Sequence, residues 1–316
     1  MKRIIYKSIL LLGVPLTYLS SVWLKVVKKA GTGKIGEKIF MQLGILPVLD
    51  HYYEPMINPR KYLTKSLRDD RILRGIDFNA EEQLNILAKF NYNEELLSFP
   101  FCKNKDNEYY YDNTYYCSGD AEYLYNMVRH YKPNRIIEIG SGYSTLMVRN
   151  AISNNKLDNS NYVCQHICIE PYEMPVLEKI EVELIRENVE NIEKPFFQKL
   201  EANDILFIDS SHIIRPQGDV LFEYLELLPT LKSGVIIHVH DIFTPKDYLN
   251  EWVFNNHHLW NEQYLLEAFL TFNSEFKIIG ALNYLTHNYR KELAEKCPIF
   301  AKQKSREPGA FWMIKK

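Results

Sequence analysis

The sequence lacks the features that mark several protein classes. No C-x-x-C pair occurs among its five cysteines, Cys102, Cys117, Cys164, Cys168 and Cys297, and an odd number cannot all pair internally. A disulfide framework is therefore not expected, and reduced thiols in a cytoplasmic setting are. Charge of one sign is not in excess: 38 Lys and Arg stand against 40 Asp and Glu, so no basic field argues for nucleic acid as a partner. A small molecule is the expected partner. Internal repeats and low-complexity tracts are absent, and 316 residues suffice for a sizeable core.

What is present centres on Arg135-Ile136-Ile137-Glu138-Ile139-Gly140-Ser141-Gly142-Tyr143-Ser144-Thr145-Leu146. A short, β-branched run bounded by Pro133 and Gly140 reads as a buried parallel strand. Two glycines then remove Cβ atoms from the turn, and a helix starting near Ser144 aims unpaired N–H groups at whatever sits there. A dinucleotide fingerprint needs a third glycine at position 145, and this chain has Thr145. The acid two residues before the first glycine, Glu138, gives instead the pattern E-x-G-x-G, which resembles the cofactor turn of class I S-adenosylmethionine (SAM) methyltransferases.

The N-terminal stretch Ser8 to Leu24 carries no charge and lies between Lys2, Arg3 and Lys7 on one side and Lys25, Lys28 and Lys29 on the other. As a helix it spans about 25 Å against a hydrocarbon core of about 30 Å, and Pro15 interrupts it. An interfacial helix or shallow hairpin, with snorkelling lysines and Trp23 at the boundary, suits residues 4–27; packing on its own domain or a partner subunit is the other reading. Residues 1–30 are thus expected to be a membrane-associated or packing helix, 31–117 a helical N-terminal region, and 118–316 the SAM-binding methyltransferase domain that the resemblance of the glycine turn implies. Within the middle region, Ala80 to Leu97 reads as one helix capped by Asn79. The tyrosines around Tyr52, Tyr109 to Tyr111 and Tyr115-Tyr116 suit either the wall of a sugar pocket or surface packing.

After the glycine turn the βα alternation continues. Tyr162 to Ile169 reads as a strand ending at Glu170, whose carboxylate is placed to accept both hydroxyls of a ribose. Val182 to Ile185 reads as a short third strand, with Arg186 to Val189 bordering a base. Asp204 to Asp209 and Gly234 to Asp241 read as two more strands, each ending in acid, with His212, His238 and His240 beside those ends. His238 and His240 share a strand face, so one is expected at the site and the other packed in the core. Asp219 to Leu228 and Gln263 to Phe269 read as helices, and Phe276 to Leu285 and Gly309 to Ile314 as strands paired antiparallel. Asp120 opens a helix just before the glycine strand and is expected near the cofactor.

Four blocks, Ile137 to Gly142, Ile169-Glu170-Pro171, Ile208 to His212 and His238 to Phe243, stand in the order and spacing of the methyltransferase 24 family of bacteria, which this chain resembles from about His51 onward. The resemblance implies an α/β fold: a Rossmann-like class I methyltransferase sheet, mainly parallel with an antiparallel C-terminal strand, plus a helical N-terminal extension. It implies SAM held by Glu138, Gly140, Ser141, Gly142 and Glu170, with Asp120 and Asp209 nearby, and a substrate site at Asp209, His212, His240 and Asp241.

Methyl transfer from a sulfonium is an in-line displacement, so the protein must align donor and acceptor and, for a hydroxyl, remove its proton. His212 or His240 is the expected general base. Asp209 and Asp241 offer hard oxygen ligands for a divalent ion such as Mg²⁺. O-methylation of a sugar, glycan precursor or related small molecule, at the cytoplasmic face of a membrane and in a homo-oligomer, is the expectation. A non-catalytic SAM-binding scaffold is the alternative. An NAD-dependent oxidoreductase is disfavoured by Thr145 and by the lack of a Tyr-x-x-x-Lys run.

Overall fold

A computed structural model describes residues 2–316, with side chains described from Lys7 onward. The side chains of Lys2 and Arg3, expected to flank the apolar N-terminal stretch, lie outside the described residues. The chain divides into two compact units. One contains the chain up to Ser66 together with Asn250–Leu259; the other contains Leu67–Leu249 and Trp260–Lys316.

In the first unit, helices Lys2–Leu12 and Val14–Ala30 follow each other almost without a break. Gly13 N donates to Ile9 O (3.0 Å), closing the first helix, and Thr17 N donates to Gly13 O (2.9 Å), opening the second. Pro15 costs no hydrogen bond because it falls in the first turn of the second helix, where the N–H is unpaired anyway. The stretch is therefore a pair of end-to-end helices and not a hairpin. Among the described residues no helix is long and apolar enough to cross a membrane. A third helix, Gly33–Leu43, ends at Gly44 in the left-handed conformation, and Pro59–Tyr62 is held to Asn250–Phe254 by Arg60 Nη2 donating to Phe254 O (3.2 Å).

The second unit is built on a seven-stranded sheet. Its strands are β1 (Arg135–Ile139), β2 (Gln165–Ile169), β3 (Glu183–Ile185), β4 (Ile205–Ile208), β5 (Ile236–Val239), β6 (Phe276–Ala281) and β7 (Phe311–Lys315), in the order β3-β2-β1-β4-β5-β7-β6. Pairings among β1 to β5 are parallel, and β7 runs antiparallel to both its neighbours. The antiparallel C-terminal strand expected from the sequence thus lies between β5 and β6. Strand alternation splits the core. Ile137, Ile139, Leu206, Ile208, Ile237 and Val239 pack on one face, while Ile136, Ile205, Phe207, Ile236 and Trp312 pack on the other with helices Asp120–Tyr131 and Tyr143–Asp158.

Several expected elements differ in extent. The helix predicted over Ala80 to Leu97 is two, Ala80–Ala88 and Asn93–Ser98, because the chain turns at Lys89 to bury Phe90 completely. Asn79 sits at φ +48° and its side chain caps nothing. The strand predicted to reach Leu285 stops at Ala281, where Leu282–Asn288 begins a helix. Asp219 to Leu228 is helical but passes into a π-turn over Phe222–Leu227. Tyr109, Tyr111 and Tyr116 are core residues, their hydroxyls donating to backbone carbonyls or meeting His238, while Tyr115 stacks on Tyr143.

Candidate functional site

The carboxyl ends of β1, β2, β4 and β5 bring the candidate residues to one edge of the sheet. Gly140 has φ +75°, and a Cβ there would lie 1.9 Å from the backbone oxygen of Asp209. Only glycine permits the β1 turn to pass so close to the end of β4. Gly142 is extended, and its N–H donates to the hydroxyl of Thr145 (2.9 Å). The residue that replaces a third glycine therefore caps the helix that follows.

Glu170 is oriented by the same turn: its Oε2 accepts from Ser141 N (3.2 Å) and its Oε1 from Tyr172 N (3.0 Å). An ionised carboxylate has about four acceptor sites, so further sites stay open. They face a cavity of about 270 Å³ lined by Gly140, Glu170, Asn188, Val189, Asp209 and Arg215, among others. Arg186 holds this rim by donating to the carbonyl oxygens of Glu170 (3.0 Å) and Tyr172.

Two expected cofactor residues point elsewhere. Glu138 is fully buried on the sheet face it shares with Ile136, where His166 Nε2 lies 2.8 Å from its Oε2 and Cys168 Sγ donates to the same oxygen (3.5 Å). Asp120 is also buried; it accepts from Ala310 N (2.7 Å) and from Arg306 Nη2 (3.1 Å). Neither lines the cavity. Strand alternation explains the first: Glu138 is two residues from Ile136 and so points to the helix-covered side.

Beside the cavity lies a cluster of charge. His212 Nε2 is 3.4 Å from Asp209 Oδ1 and 3.6 Å from Asp241 Oδ2, and His212 Nδ1 is 2.8 Å from Glu262 Oε2. His240 Nδ1 is 3.3 Å from the same Asp209 oxygen and 3.7 Å from Asp241 Oδ1, with Asp120 Oδ2 3.9 Å from its Nε2. Burial pulls the pKa of His212 down, but its bonds to Asp209 and Glu262 and the charge of Asp241 outweigh that and hold it well above the usual range. His240 rises likewise against burial, through the charges of Asp241 and Asp209. In return Asp209 is held well below the carboxylate range, burial being overcome by His240 and His212. The surrounding carboxylates thus bias both imidazoles toward the protonated form.

His238 behaves differently. It stacks on Phe207 with centroids 4.1 Å apart, meets the Tyr116 hydroxyl at 3.2 Å, and is pushed well below the usual histidine range by burial and by the charge of His240. It is a neutral core residue. His240 occupies the site.

Backbone conformation supports the cluster. His212 (φ +60°) and Asp241 (φ +57°) both adopt the left-handed region, which non-glycine residues enter at a cost of about 1–3 kcal/mol. His212 is held there because its carbonyl accepts from Asn261 N and Glu262 N, each at 3.1 Å. Ser211 donates through its backbone and hydroxyl to Asp219 (2.8 and 2.7 Å), and Asn261 Oδ1 accepts from Ile214 N (2.7 Å). Glu262, Asp219 and Asn261 were not anticipated from the sequence. Glu262 is 50 residues from its partner, and its only local mark is an acid in the first turn of helix Glu262–Leu270.

Ligand atoms of Asp209, His240 and Asp241 all lie within 4.8 Å of one another. The Nδ1 of His240 is buried and makes no well-aligned hydrogen bond, Asp209 Oδ1 lying 3.3 Å away; without its proton it completes, with the two carboxylates, a donor set that fits a divalent ion. A second group, Glu138, His166 and Cys168, is equally close but fully buried and lines no described cavity.

This sheet order, with one antiparallel strand inserted before β6 and a glycine turn after β1, defines a class I methyltransferase fold. The model of the methyltransferase 24 family, described as a methyltransferase domain, matches residues 137–242. A protein from Archaeoglobus fulgidus described as uncharacterized is 31% identical over 182 residues, which are 54% of this chain and 80% of that one. The chain belongs to this family and is a SAM-dependent methyltransferase. Among solved structures, the O-methyltransferase TomG from Streptomyces achromogenes, involved in tomaymycin synthesis and solved with SAM, is similar at 14% identity and a TM-score of 0.38, covering 73% of this chain and 89% of its own. An O-methyltransferase from Bacillus cereus with S-adenosylhomocysteine (SAH) is similar at 13% identity and a TM-score of 0.33, covering 82% and 95%.

Proposed function

We propose that the protein methylates a hydroxyl of a sugar, glycan precursor or related small molecule. The observation that carries this reading is the double position of Asp209. It lines the Glu170 cavity and also stands 3.4 Å from His212, so a cofactor site and a proton-accepting site share a wall. SAM supplies an electrophilic methyl group when bound. Glu170 is assigned to its ribose hydroxyls, Asn188 and Val189 to the edge of its base, and the N–H groups of the Gly140 to Gly142 turn to its polar end.

On the acceptor side His212 takes the hydroxyl proton at Nε2, with Glu262 fixing the other nitrogen. The pair of carboxylates that keeps Nε2 protonated, Asp209 and Asp241, is also the pair assigned, with His240 Nδ1, to a divalent ion such as Mg²⁺. A cation held there would draw the charge of these carboxylates away from the imidazolium and so ease the loss of the Nε2 proton.

Calorimetric titration tests the first half. SAM and SAH bind the full chain, and Glu170→Ala weakens both by about tenfold to a hundredfold, the loss of one or two charge-assisted hydrogen bonds. Unchanged affinity in a folded Glu170→Ala protein rejects the assignment. With SAM bound, a screen of saccharide acceptors by SAH release tests the second half, and His212→Ala abolishes the release.

A further inference from the structure

We propose that residues 8–46 form a monotopic anchor that seats in the interfacial layer of a membrane rich in anionic lipid. The inference rests on the surface of the N-terminal unit and holds whatever the acceptor of the methyl group is.

No residue of helices Val14–Ala30 or Gly33–Leu43 is buried. Leu11, Leu12, Leu16, Leu19 and Trp23 are 65–82% exposed, and Ile35, Met41, Leu43 and Leu46 continue the apolar surface at 62–79%. Burying each such side chain is worth about 1.5–3 kcal/mol, so the surface has a strong tendency to be covered. Thr17, Ser21, Lys25 and Lys28 follow one another at helical spacing, with Ser20 and Lys29 flanking them, and form a polar side. Leu16, Leu19, Val22, Trp23 and Val26 form the apolar side opposite. A groove in a protein partner takes up one stripe of a helix, whereas a helix lying in a bilayer interface buries a broad face and turns a narrow one to water.

Depth follows from length. The uncharged run from Ser8 to Leu24 spans about 25 Å, less than a hydrocarbon core of about 30 Å, and no described helix is long and apolar enough to cross. The helix therefore lies in the interface.

Charge selects the lipid. Lys7, Lys25, Lys28, Lys29, Lys34 and Lys38 border the apolar surface, and the first acidic residue of the chain is Glu37. Lys28 stands 3.6 Å from Glu54. Near an anionic bilayer each such cation contributes about 1 kcal/mol, and the long stems reach the headgroups from a buried backbone. A second copy of the chain would set these lysines against their own kind, which disfavours self-association through this face.

The test is co-sedimentation of the full chain with vesicles of phosphatidylcholine alone and of phosphatidylcholine with equal phosphatidylglycerol. Binding to the anionic vesicles is expected, with Lys25, Lys28 and Lys29→Gln weakening it there only. The double variant Leu19→Glu, Trp23→Glu should lower the bound fraction by about tenfold or more. Its circular dichroism should not change, since both side chains are exposed. The proposal is overturned if the full chain stays in the supernatant with both vesicles, if the double variant sediments like the parent, or if light scattering shows an oligomer that only the double variant dissolves.

Discussion

Glu262 Oε2 lies 2.8 Å from Nδ1 of His212, and the other oxygen of Glu262 accepts from the Tyr224 hydroxyl at 3.0 Å. A carboxylate only accepts, so Nδ1 keeps its proton toward Glu262 whether or not Nε2 carries a second one, and Nε2, turned toward Asp209 and Asp241, is the nitrogen that gains and loses it. The dyad is buried, and the Trp260 ring 4.4 Å from the imidazole limits its rotation. Glu262→Gln should therefore keep the fold but leave His212 free to take the wrong tautomer. Turnover is expected to fall by about tenfold to a thousandfold with little change in the affinity for SAM. Nitrogen-detected NMR of the imidazole gives a reading independent of any acceptor: the Nδ1 proton resonance of His212 should broaden or vanish in Glu262→Gln. A persistent, sharp resonance would remove Glu262 from the positioning role.

Glycines 140 and 142 share one turn but should respond differently to alanine. At Gly140 the new Cβ meets a backbone oxygen at 1.9 Å, and the φ of +75° is unfavourable for any side chain. Neither strand end can move without breaking the ladder, so Gly140→Ala should destabilise by about 3 kcal/mol or more and abolish SAM binding. At Gly142 the Cβ meets only the tip of Met174, at 3.2 Å, and the backbone is extended. Gly142→Ala should cost about 1 kcal/mol or less. Thermal melts of the two variants check the contrast, and equal losses would contradict it.

Much of this architecture was legible in the sequence because it depends on local signals. β1, β4 and β5 are short apolar runs closed by glycine or acid, and such runs have few other uses in a chain with βα alternation. What escaped was set by distant packing. The helix after Ala88 breaks to bury Phe90, and the apolar run Ile278 to Leu285 changes from strand to helix without any polar residue before Asn283 to mark the place. Glu138 was assigned to the cofactor from its motif, although its parity with Ile136 already placed it on the other face. Glu262 reaches His212 only through the tertiary fold, and nothing local distinguishes it from an ordinary first-turn acid.

Chelation should separate the two readings of the Asp209, His240 and Asp241 group. If an ion assists, EDTA lowers turnover by about tenfold or more and added Mg²⁺ restores it. Asp241→Asn then reproduces the loss while leaving SAM affinity intact, because Asp241 does not line the Glu170 cavity. Turnover indifferent to EDTA would leave the cluster as a metal-free charge network, with His212 still oriented by Glu262.

A buried acid in the same helical turn as Asp120 sets a pH dependence of stability. Glu122 is completely buried, and burial raises its carboxyl to about 7, against the three backbone N–H groups of Gly119, Ile299 and Phe300 that favour the charged form. Because the folded value exceeds the ordinary value of 4.5, the folded state binds the proton more tightly than the unfolded one. The stabilisation from the protonated group is complete below pH 4.5, declines between 4.5 and about 7, and is gone above. Across that window this group lowers stability by up to about 1.4 kcal/mol per pH unit. Glu122→Gln stays neutral throughout, so its melting temperature should fall less than that of the parent between pH 5 and 7. Parallel melting curves for the two proteins over this range would show that Glu122 is charged in the fold and that its three amide donors, not its burial, decide its state.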